Sequence, residues 1–316
     1  MPPNRSLYKT LPAQLSTALK DFQSSQAPFR LLQTVNPQTL TPQPPPTSTT
    51  TTPPPQTLLI LDSSFNPPSI AHQTLALSAL HKESKSTAQN ASPHRLLLLF
   101  STMNADKAPS PAPFPHRLTL MTLFAIDLLS TLQTAPYATT HLCPSAVDIG
   151  VTTAPYYTDK SAAITDSPEG RAAYPGAPKH VHLLGFDTLT RIFAPKYYAS
   201  FSPPLSALER YFAAGHGLRA TLRPEEGGSS AAAEQRAFVQ GLADGELESE
   251  GGKREWAEQV ELVEPVGREG VSSTVVRKAA KRGDWGVVGE LCTENVAGYV
   301  QEAGLYDEDD SGAKMA

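Results

Sequence analysis

Thr57-Leu58-Leu59-Ile60-Leu61-Asp62-Ser63-Ser64-Phe65-Asn66-Pro67-Pro68-Ser69-Ile70-Ala71-His72 decides the fold. Five strand-forming residues run into a turn of small residues and prolines, and an apolar helical pattern over Ala71–His81 follows at once. A strand that ends in a tight turn and opens a helix presents free N–H groups and a positive dipole end to an anion. His72, at that helix start, is placed to hydrogen-bond a phosphate oxygen and to stabilise charge in a transition state. Taken alone, the segment reads equally as a proline-rich turn with His72 capping or packing, and Asn66 before Pro67 is ordinary turn chemistry.

Downstream, strand-like runs alternate with helical ones. Arg95–Phe100 is a strand-sized apolar run. Pro115–Leu132 carries Leu118, Met121, Ala125, Leu128 and Leu132 at helical spacing, with Pro115 suited to a first turn. Val181–Leu184 and Arg219–Leu222 predict further strands, with a helix near Leu205–Ala213 between them. This rhythm predicts an α/β fold, a Rossmann-like parallel sheet with helices on both faces and ligands at the carboxyl ends of the strands.

Upstream, Leu11, Leu15, Leu19 and Phe22 predict an amphipathic helix over Leu11–Ser24, and Phe29–Val35 a strand. Residues 1–35 therefore read as an N-terminal helix and strand segment, which is able to pack back onto the sheet or to stand apart. Asn36–Gln56 holds 8 Pro and 7 Thr in 21 residues and predicts an extended, solvated linker. The main domain is expected over 57–316, interrupted at about 223–253 by an acidic, Gly/Ser-rich surface insertion around a short helix, Ala231–Leu242.

Composition bounds the function. With 26 Lys+Arg against 31 Asp+Glu, the chain carries a net charge of −5, without the basic character that wraps duplex nucleic acid. Cys143 and Cys292 are too few for a disulfide framework or a four-thiolate zinc site. The first ten residues lack the apolar core of a secretory signal, and no run reaches the roughly 20 apolar residues of a membrane span. A soluble protein of the cytoplasm, with or without access to the nucleus, is expected.

A second anion-binding element lies near the end of the chain. Gly270-Val271-Ser272-Ser273-Thr274-Val275-Val276-Arg277 opens a helix with a run of hydroxyls and a guanidinium one turn in, a combination suited to a polyphosphate. Alone it reads as a capped helix ending at Gly283, with Lys278, Lys281 and Arg282 complementing the dipole.

Together the two elements resemble the nicotinamide (or nicotinate) mononucleotide adenylyltransferases, within the nucleotidyltransferase superfamily, in a divergent eukaryotic form. That family opens with G-S-F-N-P-P followed by T/H-x-x-H, which reads here as Ser63 to His72. Its I-S-S-T-x-I-R signature reads as Val271 to Arg277, and its V-x-x-Y-I-x-x-x-x-L-Y helical tail as Val296 to Tyr306. Ser101–Lys107 followed by Pro115-His116-Arg117-Leu118 is similar to its lysine-bearing loop and next helix, and Gly185-Phe186-Asp187-Thr188-Leu189 to its G-x-D-x-L turn. Alone, Lys107 reads as a solvated loop lysine and Asp187 as a helix N-cap.

The resemblance spans roughly Leu58 to Tyr306 and implies adenylyl transfer from ATP to a pyridine mononucleotide, with Mg²⁺ accompanying the ATP. It implies that His72, Lys107 and Arg277 act on the phosphates. Ser63, Ser64, Phe65, Ser69, Gly185, Asp187, Ser272, Ser273 and Thr274 complete the ATP site, with Ser69 as a hydroxyl donor. Asn66, Lys107, Asp148 and Tyr156 are implied to contact the mononucleotide. Two departures stand out. Ser63 replaces the opening glycine of the family motif, and Val147-Asp148-Ile149-Gly150 lacks the Trp and Glu of the family's V-D-x-W-E, so Tyr156 or Tyr157 would have to supply the stacking ring. A weakened acceptor segment also admits an ATP-binding or ATP-hydrolysing homologue with a regulatory or quality-control role. Nothing in the chain suggests nucleic-acid or membrane partners, a dedicated metal-ligand cluster, or an oligomeric state.

Overall fold

A computed structural model of the chain describes residues 5–45, 54–86, 93–103, 112–134, 137, 143–223, 229–265 and 271–307. Among the described residues eight strands form one sheet: β1 (Phe29–Val35), β2 (Pro42–Gln43), β3 (Thr57–Asp62), β4 (His94–Ser101), β5 (Val147–Thr152), β6 (Lys179–Gly185), β7 (Gly217–Thr221) and β8 (Val260–Val263). Their spatial order is β2-β1-β5-β4-β3-β6-β7-β8. From β5 to β8 every pairing is parallel, which gives the 3-2-1-4-5-6 order of the doubly wound dinucleotide-binding fold. The strand order reverses between β3 and β6, so the turn after β3 sits at the topological switch point.

Eleven α-helices are found among the described residues: α1 (Arg5–Ser25), α2 (Ile70–Ser86), α3 (Phe114–Leu132), α4 (Tyr157–Asp166), α5 (Pro168–Ala173), α6 (Phe186–Ile192), α7 (Glu209–Ala213), α8 (Ser229–Asp244), α9 (Ser273–Lys281), α10 (Trp285–Leu291) and α11 (Glu294–Glu302). One sheet face packs Leu59, Leu61, Leu96 and Leu98 with residues of α1, α2, α3 and α9–α11. On the other face Leu58, Ile60, Leu97 and Leu99 meet α4 and α5, while Leu184, Leu218 and Ala220 meet α6–α8. Strands buried on both sides need apolar residues at every position, hence Leu58-Leu59-Ile60-Leu61 and Leu96 to Phe100. No helix among the described residues is long and apolar enough to cross a membrane.

The expected parallel sheet runs from β5 to β8; beyond it, at one edge, β1 runs antiparallel to β5 and β2 antiparallel to β1. The N-terminal segment packs back onto the sheet. Leu11, Leu15, Leu19 and Phe22 of α1 are buried, and α1 lies along α3. The Tyr8 hydroxyl donates to the Asn295 carbonyl at 3.0 Å, joining α1 to α11. Tyr8→Phe removes that hydrogen bond and should cost about 1 kcal/mol, read as a shift in urea midpoint at unchanged m-value; an unshifted midpoint would mean that α1 does not dock in solution.

Two further boundaries change. The linker expected over Asn36–Gln56 is structured at its start: the Asn36 side chain caps a turn through Gln38 N–H at 2.8 Å, and β2 pairs with Thr34 and Val35. Residues 46–53 lie outside the described part. The expected insertion at about 223–253 is instead the crossover that carries β7 to β8. Its helix α8 runs from Ser229 to Asp244, and Leu242 and Trp256 are buried against Phe212 and Leu218, so apolar anchors at long spacing hold a segment whose surface is acidic.

Beneath α4 and α7 lies a layer of three buried histidines. His180 and His182 alternate along β6 with Val181 and Leu183, and His216 precedes β7. The His180 and His216 rings stack at 4.2 Å, and His216 Nδ1 accepts the His180 backbone N–H at 3.1 Å. Ser161 Oγ meets His182 Nε2 at 3.0 Å. Burial pushes His180 down to about 3 and His216 to about 4, and holds His182 well below the usual histidine range.

Candidate active site

The turn after β3 is held from behind by its own carbonyls. Arg117 Nε of α3 donates to Ser64 O at 2.7 Å and Arg277 of α9 donates to Asn66 O at 2.8 Å. Ser273 Oγ donates to Pro67 O at 2.8 Å, and the Cys292 thiol to Pro68 O at 3.4 Å. Donors from α3, from α9 and from Cys292 at the end of α10 thus converge on five residues of chain. Phe65 adopts φ +45°, in the left-handed region, and its ring is fully buried. Burial lowers Arg117 to about 10, where it is still protonated at neutral pH, and its guanidinium lies 4.2 Å from the Phe100 ring centroid.

His72, in the first turn of α2, is positioned by the same turn. Ser69 N–H donates to His72 Nδ1 at 3.1 Å, with Ser69 Oγ also at 3.1 Å. An Nδ1 that accepts a backbone N–H leaves the proton of a neutral ring on Nε2, which faces Ser63 Oγ at 2.9 Å. The ring packs 5.5 Å from that of Phe65.

In front of the turn, at the carboxyl ends of β3 and β4, lies a cavity of about 230 Å³ lined by Asp62, Ser63, Ser64, Ser101, Pro155, Tyr156, Tyr157, Lys160, Thr188, Arg191, Ile192, Tyr197 and Tyr198. Lys160 of α4 forms a buried ion pair with Asp62 and lies 4.8 Å from the Tyr157 ring centroid. The Tyr157 hydroxyl also hydrogen-bonds Asp62, and burial holds that hydroxyl well above the usual tyrosine range. A neighbouring cavity of about 450 Å³ is bounded by Phe186, Asp187, Thr190, Arg191, Arg223, Glu234, Gln235 and Phe238. There Asp187 pairs with Arg223 at 2.9 Å, and the Gln235 side chain accepts Arg223 N–H at 2.9 Å and donates to its carbonyl at 2.7 Å.

The residues expected at the site divide accordingly. Ser63, Ser64 and Tyr156 line the first cavity and Asp187 the second. Gly185 caps α6 beside them with φ −88°, and a Cβ there would come no closer than 3.9 Å to Arg223, so the backbone itself does not demand glycine. Ser272 caps α9 through Val275 N–H at 3.4 Å, and Thr274 Oγ1 accepts from Arg277 at 3.1 Å. Lys107 lies outside the described residues.

Four assignments are corrected. Ser69, expected to offer its hydroxyl to ATP, is fully buried and holds His72 instead. Phe65 is a core residue. Asn66, expected at the mononucleotide, is 2% exposed and its Oδ1 accepts the Tyr306 hydroxyl at 2.7 Å, so the helical tail closes onto the turn. Asp148 lies at the amino end of β5, fully buried, where it accepts from Thr34 at 2.7 Å, Arg95 at 2.6 Å and Tyr174 at 2.9 Å, so its carboxylate is engaged inside the fold. Tyr157, expected with Tyr156 as a stacking ring, lines the cavity; Lys160, Arg191, Tyr197 and Tyr198 do so without a sequence signal. They come from helices after β5 and β6, and only the rule that ligands lie at strand ends pointed to that region.

A parallel 3-2-1-4-5-6 sheet, with a helix-opening turn at the switch point and a polar cavity before it, defines a nucleotide-binding protein of the Rossmann-like class. No family model matches the sequence. A protein of Schizosaccharomyces pombe named "Putative nicotinamide mononucleotide adenylyltransferase" is 30% identical over 229 residues, 72% of this chain and 77% of that one. The chain belongs to the nicotinamide mononucleotide adenylyltransferase family. Solved structures that align with it include the nicotinic acid mononucleotide adenylyltransferase of Plasmodium falciparum complexed with NaAD, at 14% identity and TM-score 0.47, covering 80% of this chain and 98% of that one. The P. falciparum enzyme complexed with APC aligns over the same shares at 13% identity and TM-score 0.42.

Proposed function

We propose that the chain joins ATP to nicotinamide or nicotinate mononucleotide, giving NAD or its deamido form and pyrophosphate. A 5′-phosphate oxygen of the mononucleotide attacks the α-phosphorus of ATP, and the bond from that phosphorus to the bridging oxygen of pyrophosphate breaks. The observation that carries the reading is the convergence of Arg277, Ser273 and Tyr306 on the turn that positions His72. No side chain needs to act as a nucleophile; the work is alignment of two anions and neutralisation of the transferred group. In this reading the His72 Nε2 proton leaves Ser63 Oγ for an oxygen of the α-phosphate, and the start of α9 with Arg277 receives the departing phosphates.

Tyr156, Tyr197 and Tyr198 supply the aromatic walls for the pyridine ring that the missing Trp would otherwise provide. Asp62 and Asp187, carboxylates at the ends of β3 and β6, are already paired with Lys160 and Arg223, which fits a magnesium ion carried on ATP oxygens better than one caged by protein carboxylates. Mg²⁺ would supply further charge neutralisation on the phosphates.

Titration calorimetry tests the reading. A non-hydrolysable ATP analogue with Mg²⁺ should bind, a pyridine mononucleotide should then bind the saturated protein, and Arg277→Ala should weaken the analogue about 10–100-fold. Binding of the analogue with no response to either mononucleotide would sink the acceptor assignment.

A further inference from the structure

We propose that Arg191 selects the acid form of the acceptor, so that nicotinate mononucleotide is preferred over the nicotinamide form. The inference rests on the acceptor reading above. Among the described residues three charged side chains line the cavity at the ends of β3 and β4: Asp62, Lys160 and Arg191. Lys160 is neutralised by Asp62 in a buried pair, so among the described lining residues the remaining charge is that of Arg191. Thr188, Arg191 and Ile192 follow the i, i+3, i+4 spacing of α6, which turns one face of that helix toward the cavity.

Arg191 also borders the second cavity, whose other cation, Arg223, is paired with Asp187. Among the described residues no carboxylate pairs with Arg191. Arg191 is thus a cation at the wall shared by both cavities, facing the tyrosine-lined side where a flat ring would lie.

The two mononucleotides differ only in the ring substituent, a carboxylate in one and a carboxamide in the other. A guanidinium takes a carboxylate through two parallel charge-assisted hydrogen bonds. A carboxamide presents one acceptor oxygen and an NH₂ that a group with donors only cannot receive. Binding the amide would cover Arg191 without giving it a counter-charge, whereas the acid supplies one.

Steady-state kinetics with each mononucleotide at saturating Mg-ATP tests this in the full-length protein, beside Arg191→Gln and Arg191→Lys. The wild-type kcat/KM for nicotinate mononucleotide should exceed that for the nicotinamide form by about tenfold or more. Arg191→Gln should collapse that ratio at least tenfold, chiefly through KM for the acid, and Arg191→Lys should fall between. An equal loss for both acceptors, or a raised KM for ATP with the ratio unchanged, would overturn the assignment, because the cation would then serve phosphate. Calorimetric Kd values for the two mononucleotides separate the two levels of failure. An Arg191-dependent preference in binding without turnover would sink the reaction and keep the selectivity; turnover of both forms without preference would sink the selectivity and keep the reaction.

Discussion

His72→Ala should lower the rate of dinucleotide formation about 10²–10³-fold while the protein remains folded. The expectation comes from preorganisation. Ser69 N–H and Phe65 fix the ring before any ligand arrives, and Ser63 Oγ holds the place that a phosphate oxygen would take. Charge developing on the transferred group would meet a ring already oriented, with only the exchange of Ser63 Oγ for a phosphate oxygen left to be made. Alanine removes the donor and also leaves Ser69 N–H without its acceptor, so a stability loss of about 1–2 kcal/mol should accompany the rate effect. Rate measured beside the urea midpoint separates the two. A variant that keeps wild-type turnover would mean that His72 only braces the turn.

Acidification should destabilise the fold well above the pH at which carboxylates titrate. His180 and His182 are buried without charge, whereas in the unfolded chain each titrates near 6.5. Their folded values are depressed, so the stability they contribute is present above about pH 6.5 and is lost as pH falls toward the folded values. Between pH 7 and 5.5 His180 should lose about 1 kcal/mol, and His182 and His216 add in the same sense. Lys160 and Lys179 strengthen the effect by disfavouring positive charge on His182 and His216, and the tyrosines packed against the rings, Tyr157 and Tyr211, stay protonated there and bring no counter-charge. Asp127, raised by burial, acts in the opposite direction and offsets part of the loss at the acid end. Urea midpoints at the two pH values, with His216→Phe flattening the difference, check this; equal stability at both would mean that the rings find counter-charges when protonated.

Much of the fold was legible because parallel strands buried on both faces write uninterrupted apolar runs, as at Leu58–Leu61 and Leu96–Phe100. The short strand β8 escaped because Val260-Glu261-Leu262-Val263 is brief and follows an acidic stretch, and the same composition disguised α8 as an insertion. The turn at Ser63–His72 announced its location but not its directions. Phe65 at φ +45° sends its ring into the core, while Ser69 and Asn66 spend their polar groups on His72 and Tyr306. Residue type alone cannot reveal that choice. Asp148 was misread for the same reason, since its three donors come from positions 34, 95 and 174. Lys160 and Arg191 left no local signal, because they reach the cavity only once α4 and α6 are laid against the strand ends.

The most direct test of the account follows the α-phosphate. ATP labelled at that phosphorus is incubated with the protein, Mg²⁺ and each pyridine mononucleotide, and the labelled products are separated. Label appearing in NAD or its deamido form, with pyrophosphate released in equal amount, is the predicted result. Label recovered only as ADP or AMP, with no dinucleotide from either acceptor, would contradict adenylyl transfer and leave a protein that binds or hydrolyses ATP.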